Sequence, residues 1–498
     1  MAESLFSKKA KIAKIEITSD KMSGRGGLFF FLRYVENLRF YQFFENSFSF
    51  LKGSLKGLST NHFIKQLLAF FIDGTDMSMT GFDRRKTDEA YAAILENTPE
   101  QMASSHQIKR IFRKFIAIGN RLFRVILLHL FIWRLRIERP NIIVLHADST
   151  VFDNDDAAKR EGVAPTYKRK KGFQPLQISW GPYVVDALFR PGDVHCNHGT
   201  DLIKAVARLV RAIRDQYRDV PIILVTDSGF MDEENFIYFD ERLGIHFICV
   251  GKFYDDIKEY VQQLSMEHFS LLNQSWHYVE FGNRLKSWTK FRRCIYTTQD
   301  TDESGQLKFE FARPDSLLYA NIGQNQMLDE KLEQAAGAEY LQAEKIIELD
   351  HQRGKSELVH RSEKEFAQKE QLPFERLGMN RAYYYFMVIS HFLYEAYKRD
   401  VTYDVLPVES YPTTFRRLLI DFAAKIVSKG GQLILKVTQA VFDKLHLQNL
   451  WIRSGASQPI LVTWLLLGAI WHLLFQRDKY VQMAQKMRLI SPKAADNG

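Results

Sequence analysis

The chain has 498 residues, which at roughly 150 residues per domain predicts several domains rather than one compact core. Its 46% hydrophobic and 13% aromatic residues exclude a disordered or fibrous chain, and its net charge of +9 allows a polyanionic partner. Its three cysteines include no Cys-x-x-Cys pair, which excludes a zinc finger or a disulfide framework and favours a reducing compartment.

The N-terminal region, residues 1–140, is predicted to be helical. Its first 20 residues lack an apolar stretch with a small-residue cleavage site, so we expect no secretory signal and a cytoplasmic protein. Residues 101–140 carry nine basic residues and one acidic residue. Within them, Ser104 or Ser105 is suited to cap a helix that begins near Gln107. Four cations share one face of this helix: Lys109, Arg110, Arg113 and Lys114. That face could bind DNA phosphates or a major groove, or could simply be a solvated surface.

From residue 141 the pattern changes to short apolar runs rich in β-branched residues and bounded by turn residues. The runs predict strands at 142–145, 176–178, 183–189, 222–225 and 245–250, with a helix over 201–217 between the third and fourth. The order of these elements indicates an α/β fold for residues 141–254.

Residues 255–337 are predicted to form an inserted β unit, and the chain then becomes helical again. The strands expected in the insertion are 277–281, 291–297, 307–311 and 316–322. A long polar helix over 339–369 and an apolar helix over 381–397 make up residues 338–400, and 401–498 form a helical C-terminal region. The uncharged run 460–475 is 16 residues long, whereas a membrane span needs about 20. We therefore expect a buried or oligomerisation helix there, with a membrane helix as the alternative.

Two aspartates follow predicted buried strands. Asp148 comes after the first strand and Asp227 after the fourth, at the carboxyl ends where α/β sheets open their ligand crevices. Two such carboxylates and a third acid could hold two Mg²⁺ ions and activate a phosphodiester. Alternatively, each aspartate only caps the turn that follows it.

The predicted polar helix offers a third acid. At roughly 100° per residue, Arg353, Glu357 and Lys364 project within about 40° of one another, so they share a face. Such a stripe is typical of a surface ion-pair ladder, but it also suits a site that binds metal and phosphate.

These motifs together resemble the DDE-type transposases of bacterial insertion sequences. The stripe resembles their Y-x2-R-x3-E-x6-K signature, with Asp350 where the signature has Tyr. LHADSTV at 145–151 and VTDSGF at 225–230 resemble the blocks that carry the two catalytic aspartates. Segments 23–38, 84–115, 166–176 and 190–199 resemble other blocks of the insertion-sequence-thirteen-eighty branch. The resemblance covers about residues 20–445.

The resemblance implies a ribonuclease H-like catalytic core interrupted by the β insertion. It implies that Asp148, Asp227 and Glu357 bind two Mg²⁺ ions, with Mn²⁺ as a substitute, to cleave transposon ends and transfer them to target DNA. Residues expected to contact DNA are Lys168, Arg169, Lys170, Lys171, Arg353, Lys364 and the insertion residue Trp288, with Trp276 as a second stacking candidate. Either Trp could instead be core of the β unit.

The resemblance also implies a homodimer on DNA, working in the cytoplasm with the nucleoid. No Gly-Lys-Ser/Thr phosphate loop is present, so we expect no nucleotide cofactor. Three alternatives stay open: a metal-dependent nuclease without strand transfer, a DNA-binding descendant of a transposase, and a membrane-associated descendant.

Overall fold

A computed structural model describes residues 14–48, 57–273, 275–299, 315–366 and 370–460, with residues 354–357 described by their backbone alone. The described part of the N-terminal region is a short strand followed by helices. Its elements are β1 Lys21–Ser23, α1 Leu28–Asn37, α2 Phe40–Phe48, α3 Thr60–Asp73, α4 Gly81–Thr87, α5 Glu89–Ile94, α6 Ser105–Lys114 and α7 Arg121–Glu138.

The middle of the chain is a mixed α/β fold. Its first part contains β2 Ile143–Ser149, β3 Phe152–Asp153, β4 Ala164–Pro165, β5 Lys171–Phe173, β6 Leu176–Trp180, β7 Tyr183–Leu188, α8 Asp201–Gln216, β8 Ile222–Thr226, α9 Glu233–Ile237 and β9 His246–Val250. Its second part contains α10 Asp255–Gln262, β10 Ser270–Leu271, β11 Trp276–Asn283, β12 Arg292–Gln299, β13 Ser316–Ala320, α11 Gln326–Ala336, α12 Ala343–His351, α13 Arg353–Phe366 and α14 Leu377–Asp400.

Nine of the described strands form one central sheet in the order β10-β11-β12-β13-β9-β8-β2-β6-β7. Strands β2, β8 and β9 are parallel to one another, whereas β6 and β7 are antiparallel additions beside β2. On the other side, β13 pairs antiparallel with β9 and leads to β12, β11 and β10. The strands of the predicted insertion 255–337 therefore continue the central sheet.

Both faces of the sheet are covered by helices. Along β8, Ile222 and Leu224 belong to one hydrophobic cluster and Ile223 and Val225 to another, which is why the strand is apolar throughout. Helix α12 packs in the second cluster, whereas the buried apolar side chains of α13, Val359 and Phe366, belong to the first. Helix α14 is buried along most of its length and packs against α3, α6, α7, α13 and β7.

The C-terminal region packs back onto the N-terminal region. Its elements are α15 Pro412–Phe415 with a π-helical turn Arg416–Ile420, β14 Ala424–Lys429, β15 Gln432–Lys436, α16 Gln439–Lys444 and α17 Leu447–Ala456. Strand β14 pairs antiparallel with β1, and α17 packs against α1. The described part of the N-terminal region is mainly helical, whereas the described C-terminal residues combine short helices with the hairpin β14–β15. Strands β1, β14 and β15 were not predicted from the sequence.

The predicted strands at 142–145, 176–178, 183–189, 222–225 and 245–250 correspond to β2, β6, β7, β8 and β9, with β2 and β6 extending two to four residues further. The single helix predicted over 339–369 is wrong, because α12 and α13 are separated at Gln352. The chain there moves from one core cluster to the other, which one straight helix cannot do.

Two sequence predictions fall outside the described residues, the strand at 307–311 and nearly all of the apolar run 460–475. Across the described part of the chain, no single helix is both long and apolar enough to cross a membrane. One pair of helical segments, Pro99–Ala117 and Arg121–Glu138, meets the length and composition only when taken together, and it is bent by 98°.

Candidate active site

The two aspartates are brought together by strand register. Strands β2 and β8 are parallel and pair Ala147 with Thr226, so Asp148 and Asp227 occupy the next, adjacent positions at the carboxyl edge. Both line a cavity of about 980 Å³. Each carboxylate also accepts a backbone N–H from the residue after it, Ser149 at 2.6 Å and Ser228 at 2.7 Å. Each aspartate therefore accepts a hydrogen bond from the turn that follows it, and both also line the same cavity.

The side chain of His360 contacts the carboxylate of Asp148. Its Nε2 lies 3.4 Å from Asp148 Oδ2, and its imidazole is largely buried. Burial alone would raise the pKa of Asp148, but the contacts with His360 and with the Ser149 N–H outweigh it, so the pKa is lowered. Asp148 is thus held as a carboxylate. His360 was not predicted as a site residue, although its position one turn after Glu357 on a helix was a usable signal.

Glu357 lies on α13, one turn after Arg353 and one turn before Arg361, and both of these arginines line the cavity. Its side chain is outside the described residues. Among the side chains that are described, no group of three His, Cys, Asp or Glu residues is arranged to hold a metal ion. Asp350, predicted on the same helix, instead lies in the last turn of the preceding helix α12, and its carboxylate lies 3.5 Å from Arg353.

The predicted phosphate-binding cations differ in their surroundings. Arg353, Lys364 and Lys168 line the cavity. Lys364 is ion-paired with Glu370 at 2.8 Å. Lys170 instead points to Asp153 and Asp155, at 3.4 and 3.3 Å. Arg169 and Lys171 are exposed and are not part of the cavity lining.

The remaining predicted DNA contacts lie outside the cavity. Lys109, Arg110, Arg113 and Lys114 are all exposed on α6, whose Ser104 cap forms a reciprocal capping box with Gln107. Trp288 is 7% exposed and packs edge-on against Phe236 and Tyr319. This packing is what the core interpretation of Trp288 expects; base stacking by this side chain stays a prediction. The rings of Trp276 and His351 meet edge-on, 5.4 Å apart.

One wall of the cavity is made by residues that the sequence analysis did not identify. Arg25, before α1, is ion-paired with Asp73 at the end of α3 and with Asp421 of the C-terminal region. Arg416 donates to the carbonyl oxygens of Phe71 and Ile72 at 2.7 and 2.8 Å. These contacts close the cavity with segments from both ends of the chain.

A buried acid lies beneath the site. Glu363 on α13 accepts hydrogen bonds from Gln177 Nε2 at 2.8 and 2.9 Å, and Gln177 is the register partner of Asp148 on β6. Complete burial raises the pKa of Glu363 to about 7, against the smaller opposing effects of His360, Gln177 and Lys364. Glu363 is therefore part of the support of the site rather than of its open surface.

Comparison with known proteins gives one specific result. The sequence model of the family described as transposase DDE domain group 1 matches residues 6–453. No curated protein matches the chain significantly. Among solved structures, the chain is similar to a piggyBac transposase in a synaptic complex with hairpin DNA. That similarity has 10% identity and a TM-score of 0.29, over 75% of this chain and 84% of that chain, and supports no further argument.

Proposed function

Because the chain belongs to the transposase DDE domain group 1 family, we propose that it cleaves the ends of a mobile DNA element and transfers them to target DNA. The observation that carries the proposal is the register of β2 and β8, which sets Asp148 and Asp227 side by side in the cavity. With Glu357 from α13 they form the proposed catalytic triad. Further support comes from the order β7-β6-β2-β8-β9, which suits a ribonuclease H-like core over 141–254.

The donor set suits a hard divalent cation. Asp148 and Asp227 offer carboxylate oxygens, which Mg²⁺ prefers, and the lowered pKa of Asp148 keeps it anionic. We assign two Mg²⁺ ions to Asp148, Asp227 and Glu357, with Mn²⁺ as a substitute. Bound there, the metal supplies charge neutralisation at the scissile phosphate and a lowered pKa for a nucleophilic water.

The remaining residues of the site orient the carboxylates and hold the DNA. His360 contacts Asp148 and fixes the orientation of its carboxylate. Arg353, Lys364 and Lys168, which line the cavity, hold DNA phosphates near the carboxylates. In cleavage, water attacks the phosphorus and the 3′-oxygen leaves. In strand transfer, the freed 3′-hydroxyl attacks the phosphorus of a target phosphodiester and the target strand's 3′-oxygen leaves. One phosphodiester thus replaces another, and no nucleotide cofactor is needed.

We assign the chain to the insertion-sequence-thirteen-eighty branch, with a cytoplasmic, nucleoid-associated location. Residues 1–140 would bind DNA and dimerise, 141–254 and 338–400 would form the catalytic core around the insertion 255–337, and 401–498 would be a C-terminal region. Because both ends of an element must be joined, the active form would be a homodimer on DNA.

An excision and insertion assay tests this function. A donor plasmid carries a selectable marker between the DNA segments that flank the gene, and insertion into a target plasmid is sequenced. We expect excision with the wild type, insertions bracketed by a short target duplication, and neither with Asp148→Asn. Cleavage without insertion would indicate the nuclease alternative, and DNA binding without cleavage would indicate a DNA-binding descendant.

A further inference from the structure

Most charged groups in the cavity have a partner, and the exceptions are informative. Arg25 is ion-paired with Asp73 and Asp421, Lys364 with Glu370, and Arg353 with Asp350. Glu365 accepts hydrogen bonds from the Thr413 side chain and N–H. Most of the charged side chains that line the cavity are thus neutralised by partners within the protein.

Two arginines in the lining are different. Arg361 on α13 and Arg417 in the C-terminal region are both exposed, and neither forms an ion pair with a carboxylate of the described residues. Arg361 directly follows His360, whose imidazole contacts Asp148. Two guanidinium groups without an ion-pair partner among the described residues therefore share a cavity with the two candidate metal-binding carboxylates.

The backbone that carries Arg417 is fixed to α13. Thr413 donates from its hydroxyl to Glu365 at 2.7 Å, and Arg416 donates to the Glu365 carbonyl at 3.4 Å. The guanidinium of Arg361 lies over the ring of Tyr411, 4.9 Å from its centroid. This cation–π contact limits the freedom of Arg361 without neutralising its charge. These contacts hold the C-terminal segment 411–417 against α13, so the two arginines extend into the cavity lining from backbones that are fixed relative to each other.

We propose that Arg361 and Arg417 form a second phosphate clamp, which binds the DNA backbone next to the bond that is cut. The clamp deepens the proposed function and rests on it. A guanidinium can hold a phosphate through two parallel N–H···O bonds, which gives geometric specificity in addition to charge. The clamp therefore supplies DNA binding in the cavity from residues outside the helix stripe Arg353-Glu357-Lys364.

The test measures binding of a short duplex of fixed sequence across a salt series in Mg²⁺-free buffer. For Arg361→Gln with Arg417→Gln, the slope of log K against log salt should flatten by up to roughly 1.8, about 0.9 for each lost phosphate contact. The charge-matched control is Arg211→Gln with Arg218→Gln, two exposed arginines outside the cavity lining, and its slope should stay unchanged.

Arg361→Lys with Arg417→Lys separates charge from folding. It should keep most of the slope, because lysine retains the charge, whereas a merely structural loss would not be rescued in this way. An unchanged slope in the glutamine variant, or an equal loss in the control, would overturn the clamp while leaving transposase function standing. If the wild type fails to bind the duplex at all, the proposed function fails and the clamp fails with it.

Discussion

The two sides of the candidate cavity are built in opposite ways. On the carboxylate side, Asp148 lies near the end of β2 and Asp227 directly follows β8, and the register of these two parallel strands places them together. The opposite wall depends on contacts between residues far apart in the chain, such as Arg25 with Asp421 and Arg416 with Phe71, separated by 396 and 345 positions. The local sequence pattern specifies the carboxylate side, whereas the packing of the two terminal regions against each other specifies the opposite wall.

This difference shows which part of a site a sequence makes visible. A buried apolar strand that ends in Asp can be recognised within a few residues, and parallel pairing then brings two such ends to the same edge. The wall has no such pattern, because Arg25 and Arg416 contact carboxylates and backbone carbonyls that lie far away in the chain. We expect damage to the carboxylate side to affect chemistry first and damage to the wall to affect stability first.

Removing a carboxylate should give the largest effect. Asp148→Asn, Asp227→Asn or Glu357→Gln should each lower Mg²⁺-dependent cleavage of end DNA by about 10³-fold or more, because a hard anionic ligand is lost. DNA binding should persist. The control is Asp153→Asn, whose carboxylate faces Lys170 outside the cavity. Cleavage within about tenfold of wild type would remove that residue from the triad.

The buried Glu363 should make the stability of the folded protein depend on pH. Its pKa rises from 4.5 when unfolded to about 7 when folded, so folding favours the neutral form. The contribution to stability is therefore fully present below pH 4.5 and is lost as pH rises to about 7. The loss should be about 3 kcal/mol.

Glu363→Gln should remove this dependence, because a neutral amide has no charge to bury. Urea unfolding of both proteins at about pH 5 and about pH 8 checks it. The wild type should lose more stability than the variant between the two conditions. Equal losses would show that Glu363 is not the titrating group.

Arg416 should carry the stability of the wall. Arg416→Met keeps much of the side-chain volume but leaves the Phe71 and Ile72 carbonyls without their donor. We expect a loss of about 2 kcal/mol in the free energy of unfolding. The matched control is the neighbouring Arg417→Met, which is exposed and should change stability by less than about 0.5 kcal/mol. Equal stability of the two variants would contradict the division between the two sides.

The helix predicted over 339–369 shows where periodicity stops being sufficient. The polar pattern continues through Gln352, but α12 buries Ile346 and Ile347 in one core cluster while α13 buries Val359 and Phe366 in the other. The break is imposed by the sheet between the clusters, which no local pattern encodes. The stripe Arg353, Glu357 and Lys364 nevertheless stays within one helix, because all three follow the break.

The C-terminal hairpin was predictable in part. Gly430 and Gly431 both have positive φ, 59° and 76°, between the β-branched and apolar runs of β14 and β15. A Gly-Gly pair in that setting is a strong local signal for a hairpin. By contrast, the pairing of β14 with β1 joins segments about 400 residues apart and left no local sign.

The smallest effect on stability is expected from substitutions in α6. Its four cations are exposed, and their contact with DNA is a prediction. Lys109, Arg110, Arg113 and Lys114 are exposed, while Ile108 and Phe112 are buried. Replacing the four cations by Gln keeps helix propensity nearly unchanged, so unfolding free energy should move by less than about 0.5 kcal/mol. If the helix contacts DNA, the slope of log K against log salt should flatten by up to about 0.9 for each lost phosphate contact. Lys204→Gln with Arg211→Gln on α8 controls for the general loss of exposed charge. If the slope of log K against log salt flattens no more per removed charge than in that control, the cations of α6 form only a solvated face. DNA binding would then depend on the residues that line the cavity.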